Sequence, residues 1–266
     1  MINEILAFEA ILGINILSLV GICLLPRKTT TVDRLVLVLV AFGTGVILGA
    51  VLFEIIPEVL KEAVHKESSE ILLQVLLIFI AVGFIAFYSL ERFIYWFHGH
   101  HSCEEVELGC REVNRHESVK SFGNLSLLGD GIHNFMDGFI ILVAFSLNIP
   151  TGIAVTLAVA AHELPQEIGD FGILLLSRMT REKALFANFL SVLTAVLGGV
   201  VALWFLRITD FEFYILAFAA GGFLYLAASE LVPKMQKEQN NRMALIQLLF
   251  FTIGVFTMLG VDILLA

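Results

Sequence analysis

Eight stretches of roughly 20 apolar residues follow one another along the chain, at about 5–25, 35–57, 71–97, 122–147, 151–177, 184–206, 211–233 and 244–265. Nothing else in the sequence restricts the fold so severely. An apolar run of about 20 residues, wound as a helix, matches the hydrocarbon thickness of a bilayer. In that medium backbone amides must be satisfied within the segment, so the expected fold is an all-α membrane protein with eight transmembrane helices. Composition agrees: 58% of the 266 residues are hydrophobic and 15% charged, with a mean hydropathy of +0.91, where soluble domains carry about 25% charged residues.

Connections between the runs are short except from His98 to Lys120. A single transmembrane domain over 1–266 is therefore expected, with 98–120 as a loop within it. The opening MINEILAFEA lacks a basic segment and a small-residue cleavage site, so the first run is read as a retained span. Cys23, Cys103 and Cys110 do not form a disulfide framework, and a net charge of −9 argues against a nucleic-acid partner.

The basic residues orient the bundle. Alternate connections hold Arg27, Lys28 and Arg34, then Arg92, Arg111, Arg115 and Lys120, then Arg178, Arg181 and Lys183, then Lys234, Lys237 and Arg242. The other side keeps only Lys61, Lys66 and Arg207. Basic residues favour the cytoplasmic side, which predicts both termini outside and the long loop inside.

An internal echo joins the second and seventh runs. GVILGAVLFEIIP places Gly45, Glu54 and Pro57 at the spacings of Gly221, Glu230 and Pro233 in GGFLYLAASELVP, and the two runs cross in opposite directions. The pattern predicts an inverted repeat of helices 1–3 and 6–8 around a central pair 4–5, an arrangement in which substrate binds near mid-membrane.

The central pair carries the chemistry. HNFMDG (His133–Gly138) and HELPQEIGD (His162–Asp170) set imidazole, carboxylate and amide groups into apolar helices, at a cost of about 2.5–3.5 kcal/mol for each acidic group at helix centre. Residues four apart share a helix face, so His133 stacks with Asp137 and His162 with Gln166. The short connection at Asn148 and Pro150 makes the two helices antiparallel neighbours, which lets these clamps surround one cation. Asn134, Glu163, Glu167 and Asp130 offer further ligands nearby, Glu230 and Glu54 add carboxylates from other spans, and Asp170 extends the polar path. Mixed imidazole and oxygen donors suit Zn²⁺, Fe²⁺, Mn²⁺ or Co²⁺ better than Mg²⁺ or Ca²⁺, and the lack of cysteine there speaks against Cu⁺. Pro165 removes one backbone hydrogen bond beside the site and frees a carbonyl. In the loop, His98, His100, His101 and Cys103 form a second, softer donor group among many glutamates.

These two motifs, with AGGFLYLAASELVP downstream, resemble the ZIP (Zrt/Irt-like) family of divalent metal transporters. The resemblance covers nearly the whole chain. It implies one metal held by His133, Asp137, His162 and Gln166 and a neighbouring one by Asn134, Asp137, Glu163, Gln166 and Glu230. Many relatives have Glu or His at the position of Gln166, whose neutral amide bridges two metals poorly.

The function expected is transport of a first-row divalent metal, zinc foremost, towards the cytoplasm by alternating access. The metal is substrate and no catalytic cofactor is expected. Its partners are the metal ion and the lipid bilayer, with a homodimer left open and the cell's limiting membrane as the expected location. A rival reading is an intramembrane metal-dependent hydrolase, because His162-Glu163 opens a His-Glu-x-x-His pattern. Gln166 stands where its second histidine belongs. A third is a metal sensor that binds without flux.

Overall fold

The computed structural model describes residues 2–24, 29–65, 69–99, 112–176, 179–209 and 211–265. Within these segments the side chains of some residues, Glu230 and His98 among them, lie outside the description. All regular structure among the described residues is helical. The elements are α1 (Ile2–Leu24), α2 (Thr29–Ala50), α3 (Ile56–His65), α4 (Ser69–Gly99), α5 (Glu112–Leu147), α6 (Ile149–Leu176), α7 (Arg181–Leu206), α8 (Glu212–Tyr225), α9 (Val232–Gln236) and α10 (Asn241–Leu265). A π-helical turn, Val51–Ile55, joins α2 to α3, and another, Leu226–Leu231, joins α8 to α9.

Among the described residues, seven helical stretches are long and apolar enough to cross a membrane: Ile2–Ile22, Arg34–Lys61, Glu70–Phe93, Leu127–Leu147, Arg181–Leu206, Glu212–Ser229 and Asn241–Leu264. The chain is an integral membrane protein. The fifth run of the sequence, α6, is 28 residues long but falls outside that group. Its second half concentrates His162, Glu163, Gln166, Glu167 and Asp170, so its average hydropathy falls although its length suffices. Within the expected loop 98–120, α4 runs on to Gly99 and α5 starts at Glu112. His100, His101 and Cys103 lie outside the described residues.

Local chemistry sets the helix ends. Thr180 caps α7 by accepting the Lys183 amide, one of the donors a helix N-terminus leaves without an internal partner. Asn148 separates α5 from α6 and accepts the Thr151 amide on its side-chain oxygen at 2.8 Å. Pro150 follows in the first turn of α6, where a missing N–H costs nothing. Asn148 then reaches Glu58 of α3 at 2.8 Å and ties this turn to the second rod of the bundle.

Packing relies on backbone approach at glycine. A Cβ on Gly138 of α5 would run into the Ala195 carbonyl of α7, and one on Gly198 of α7 into the Phe135 carbonyl of α5. The same reciprocity joins α2 to α10 through Gly45 and Gly254, and α4 to α8 through Gly83 and Gly221. In lipid the hydrophobic effect gives helices no reason to associate, so close contact of this kind supplies the attraction. Outward faces are apolar, with Phe186, Trp204, Leu245 and Phe256 exposed.

The bend expected at Pro165 has a specific partner. Proline lacks the N–H that would bond the carbonyl four residues earlier, which leaves the oxygen of Ala161 without its helical donor. Gly43 of α2 packs directly on that carbonyl, and its Cα–H can offer a weak donor there. Thus α2 seats the middle of α6.

These contacts make a direct expectation for stability. Gly138→Val should cost about 3 kcal/mol, since the added carbons meet backbone that cannot rotate away. Gly13→Ala, at a position with nothing near its missing Cβ, should instead be neutral or stabilising by about 0.5–1 kcal/mol. Thermal unfolding of the purified protein in detergent compares the two.

Candidate metal centre

Two helix faces build the centre. On α5 His133 and Asp137 stand one turn apart, and on α6 His162 and Glu163 are adjacent. Each offers one ligand atom, and all four atoms lie within 4.8 Å of one another. His133 Nε2 is 3.2 Å from His162 Nε2. Asp137 Oδ2 lies 3.2 Å from His162 Nε2 and 3.8 Å from His133 Nε2. Glu163 Oε1 lies 3.7 Å from each imidazole Nε2.

Hydrogen bonding fixes what these atoms present. His162 Nδ1 stands 2.9 Å from the Ala158 carbonyl, an oxygen that can only accept, so Nδ1 carries the proton. In the neutral ring Nε2 then holds a lone pair and points at the cluster, as ligating histidines are arranged. Asp137 Oδ2 and Glu163 Oε1 are buried and, among the described residues, lack a partner with hydrogen-bond geometry. Lone pairs therefore converge from several sides in a bundle interior where Asp137, His162 and Glu163 are each under 5% exposed. Buried acceptors without donors are costly, and a cation is the guest that satisfies all of them together.

A second polar layer lies one turn along. Asn134 donates through Nδ2 to Asp130 Oδ1 at 3.1 Å and towards Glu167 Oε1 at 3.4 Å. Asn188 of α7 donates to the other Glu167 oxygen. Gln166 and Ser191 approach the Asp130 carboxylate, whose Oδ2 nonetheless lacks a well-formed hydrogen bond. Gln166 thus lies near both motifs' polar groups, while Glu163 Oε1 stands beside His162. Asp170 lies within electrostatic reach of Glu167.

Glu54 is elsewhere. It is buried, accepts the Thr151 hydroxyl at 2.7 Å, and neighbours Glu58 and Asp262. Thr151 precedes His162 by eleven residues on the same helix, which is about 16 Å along its axis. Glu54 therefore stands near one end of α6, away from the histidines. The backbone of Glu230 lies in the π-helical turn Leu226–Leu231, while its side chain lies outside the described residues.

Sequence reasoning missed the contribution of α7. Asn188 is fully buried, and Thr194 donates to the Gly131 carbonyl of α5 at 2.6 Å. Asn188, Ser191 and Thr194 recur every third residue and so mark one face of an otherwise apolar helix. That spacing was the available signal, but it is faint because hydroxyls are common between membrane helices.

Comparison with known proteins follows the same line. The family model of the ZIP zinc transporters matches residues 2–262. The zebrafish (Danio rerio) protein named Zinc transporter ZIP10 is 37% identical over 155 residues, 56% of this chain and 18% of that protein. The rat (Rattus norvegicus) Zinc transporter ZIP4 is 45% identical over 125 residues, 47% of this chain and 19% of that protein. The Drosophila melanogaster Zinc transporter foi is 33% identical over 150 residues, 56% of this chain and 21% of that protein. The chain thus spans about a fifth of the length of these relatives. With the family's pattern running through nearly all of its residues, the chain belongs to the ZIP zinc-transporter family.

Proposed function

We infer that the chain moves a first-row divalent cation, zinc foremost, across the membrane towards the cytoplasm by alternating access. The observation that carries this reading is the convergence of His133, Asp137, His162 and Glu163 in the bundle interior. Family membership supports it, as do relatives named zinc transporters. Fe²⁺, Mn²⁺ and Co²⁺ suit the same donors. Asn134, Gln166 and Glu230 complete the ligand set by resemblance, with Asp130, Glu167 and Asp170 along the inward path and Glu54 near the outer end of α6.

The whole chain acts as one transmembrane domain in which α6, the fifth run in order, brings the number of spans to eight. Both termini face outside, the loop before α5 faces the cytoplasm, and the cell's limiting membrane is the proposed location. Two features support the inverted repeat. The two π-helical turns fall on the matching sequence echoes, one holding Glu54 and the other Glu230. The glycine-packed pairs α2–α10 and α8–α4 also exchange under that repeat, since the second span corresponds to the seventh and the third to the eighth.

In this mechanism metal sheds water onto the two histidines and two carboxylates, whose charge replaces the hydration shell. Its arrival removes the mutual repulsion of Asp137 and Glu163, which lets the bundle close behind it. All four donors belong to one chain, so a homodimer is compatible with the site and not required by it. A hydrolytic role is disfavoured: Gln166 replaces the second histidine, and Glu163 Oε1 stands as a ligand between the imidazoles.

In proteoliposomes, His133→Ala and His162→Ala should each lower zinc uptake at least tenfold; wild-type zinc, iron and manganese flux in both would overturn the proposal. In detergent, zinc at about 100 times its dissociation constant should raise stability by about 2.7 kcal/mol. Asp137→Ala should abolish most of that gain in a thermal-shift measurement.

A further inference from the structure

Among the described residues, the layer beside the histidines is built from carboxylates, amides and the Ser191 hydroxyl, with no imidazole. Asp130 and Glu167 bring two carboxylates together between α5 and α6, and Asn188 closes the layer from α7. Carboxylate oxygens only accept, so the amide nitrogens of Asn134 and Asn188 are the atoms that face them. The nitrogen of Asn134 stands between Asp130 Oδ1 and Glu167 Oε1, at 3.1 and 3.4 Å. That is where a bridging cation would sit. Among the described residues two oxygens of the layer find no hydrogen-bond partner: Asp130 Oδ2 and Asn188 Oδ1, on residues 5% and 0% exposed. An unpartnered carboxylate oxygen and an unpartnered amide oxygen, both buried, favour a cation over an anion or an apolar guest.

We propose that Asp130, Glu167 and Asn188 form a second, all-oxygen cation station that receives the metal from the histidine centre, with the Asn134 and Asn188 amides occupying its place until it arrives. The proposal rests on the transport reading and deepens it. A half-turn about the terminal torsion of Asn188 exchanges its nitrogen for its oxygen, and such sp³–sp² torsions are soft. The amide then changes from a donor satisfying Glu167 into a ligand beside it. Asp130 lies three residues from His133, and Glu167 four from Glu163, which sets the stations about 6 Å apart. Without imidazole, the second station holds a borderline metal less firmly than the first. Passage from one to the other therefore runs towards release, and α7 becomes part of the permeation path.

The competing explanation is a static network that fastens α7 to α5 and α6. Crystals of the wild type and of His162→Ala soaked in Cd²⁺ separate the two. An anomalous peak bounded by Asp130, Glu167 and Asn188 is expected in at least one of them, and none there in Asn188→Leu. In proteoliposomes Asn188→Leu should lower the maximal Cd²⁺ flux at least tenfold with KM changed less than twofold, and Asn188→Ser about threefold. The proposal is overturned by the absence of that peak from both proteins while the wild type binds Cd²⁺ at the histidines, or by wild-type flux in Asn188→Leu. Should the leucine variant not yield monodisperse protein, wild-type flux in Asn188→Ser overturns it equally. Cd²⁺ bound nowhere and not transported would bring down the transport reading itself, and this inference with it.

Discussion

Everything in the centre of this bundle answers to one electrostatic constraint: lone pairs face one another where water and lipid offer no relief. His162 Nε2, Asp137 Oδ2 and Glu163 Oε1 converge on a small volume from two helices. Each carboxylate would be more comfortable at a helix end. Their presence at mid-helix is explicable if a divalent ion passes through, because its charge balances two carboxylates in one step. The bond from His162 Nδ1 to the Ala158 carbonyl matters as much as the carboxylates, since it decides which ring nitrogen faces the cluster with a lone pair.

Holding such a cluster requires rigid, close helices. Reciprocal glycine contacts let α5 and α7 approach backbone to backbone, and α7 brings the Asn188 amide to Glu167. On the other side of α6, Gly43 seats the Ala161 carbonyl that Pro165 leaves without a helical donor. The proline break is thus packed against a neighbour and lies beside His162 and Glu163. The two π-helical turns also fall at acidic residues followed closely by proline, Glu54 with Pro57 and Glu230 with Pro233. A π-turn shifts the register of one helix face against the next, which re-aims side chains within an otherwise straight rod.

Much of this was legible in the residues themselves. Apolar runs gave the helices, because in a bilayer a helix is the form a single segment can take. The i,i+4 spacing of His133 and Asp137 placed both on one face, and the short Asn148-Pro150 connection forced the partner helix alongside. Other features resisted reading. Gln166 has the right spacing to join His162 and also approaches Asp130, two neighbours that spacing alone treats alike. Glu54 lies in the conspicuous echo of Glu230, but the register of α2 and α3 against α6 sets it beside Thr151, far from the histidines.

The sequence by itself determined that the chain crosses the membrane as helices, which two of them carry the histidines and carboxylates, and that donors of these types suit a borderline divalent metal. Those properties follow from local hydropathy, helical periodicity and ligand chemistry, all of which are properties of residues and short spacings. Only the tertiary structure decided that Glu163 joins the two imidazoles and that α7 supplies Asn188. Both outcomes depend on how helices rotate and slide against one another. That rotation is fixed by glycine contacts and polar partners distant in sequence, which no single segment encodes.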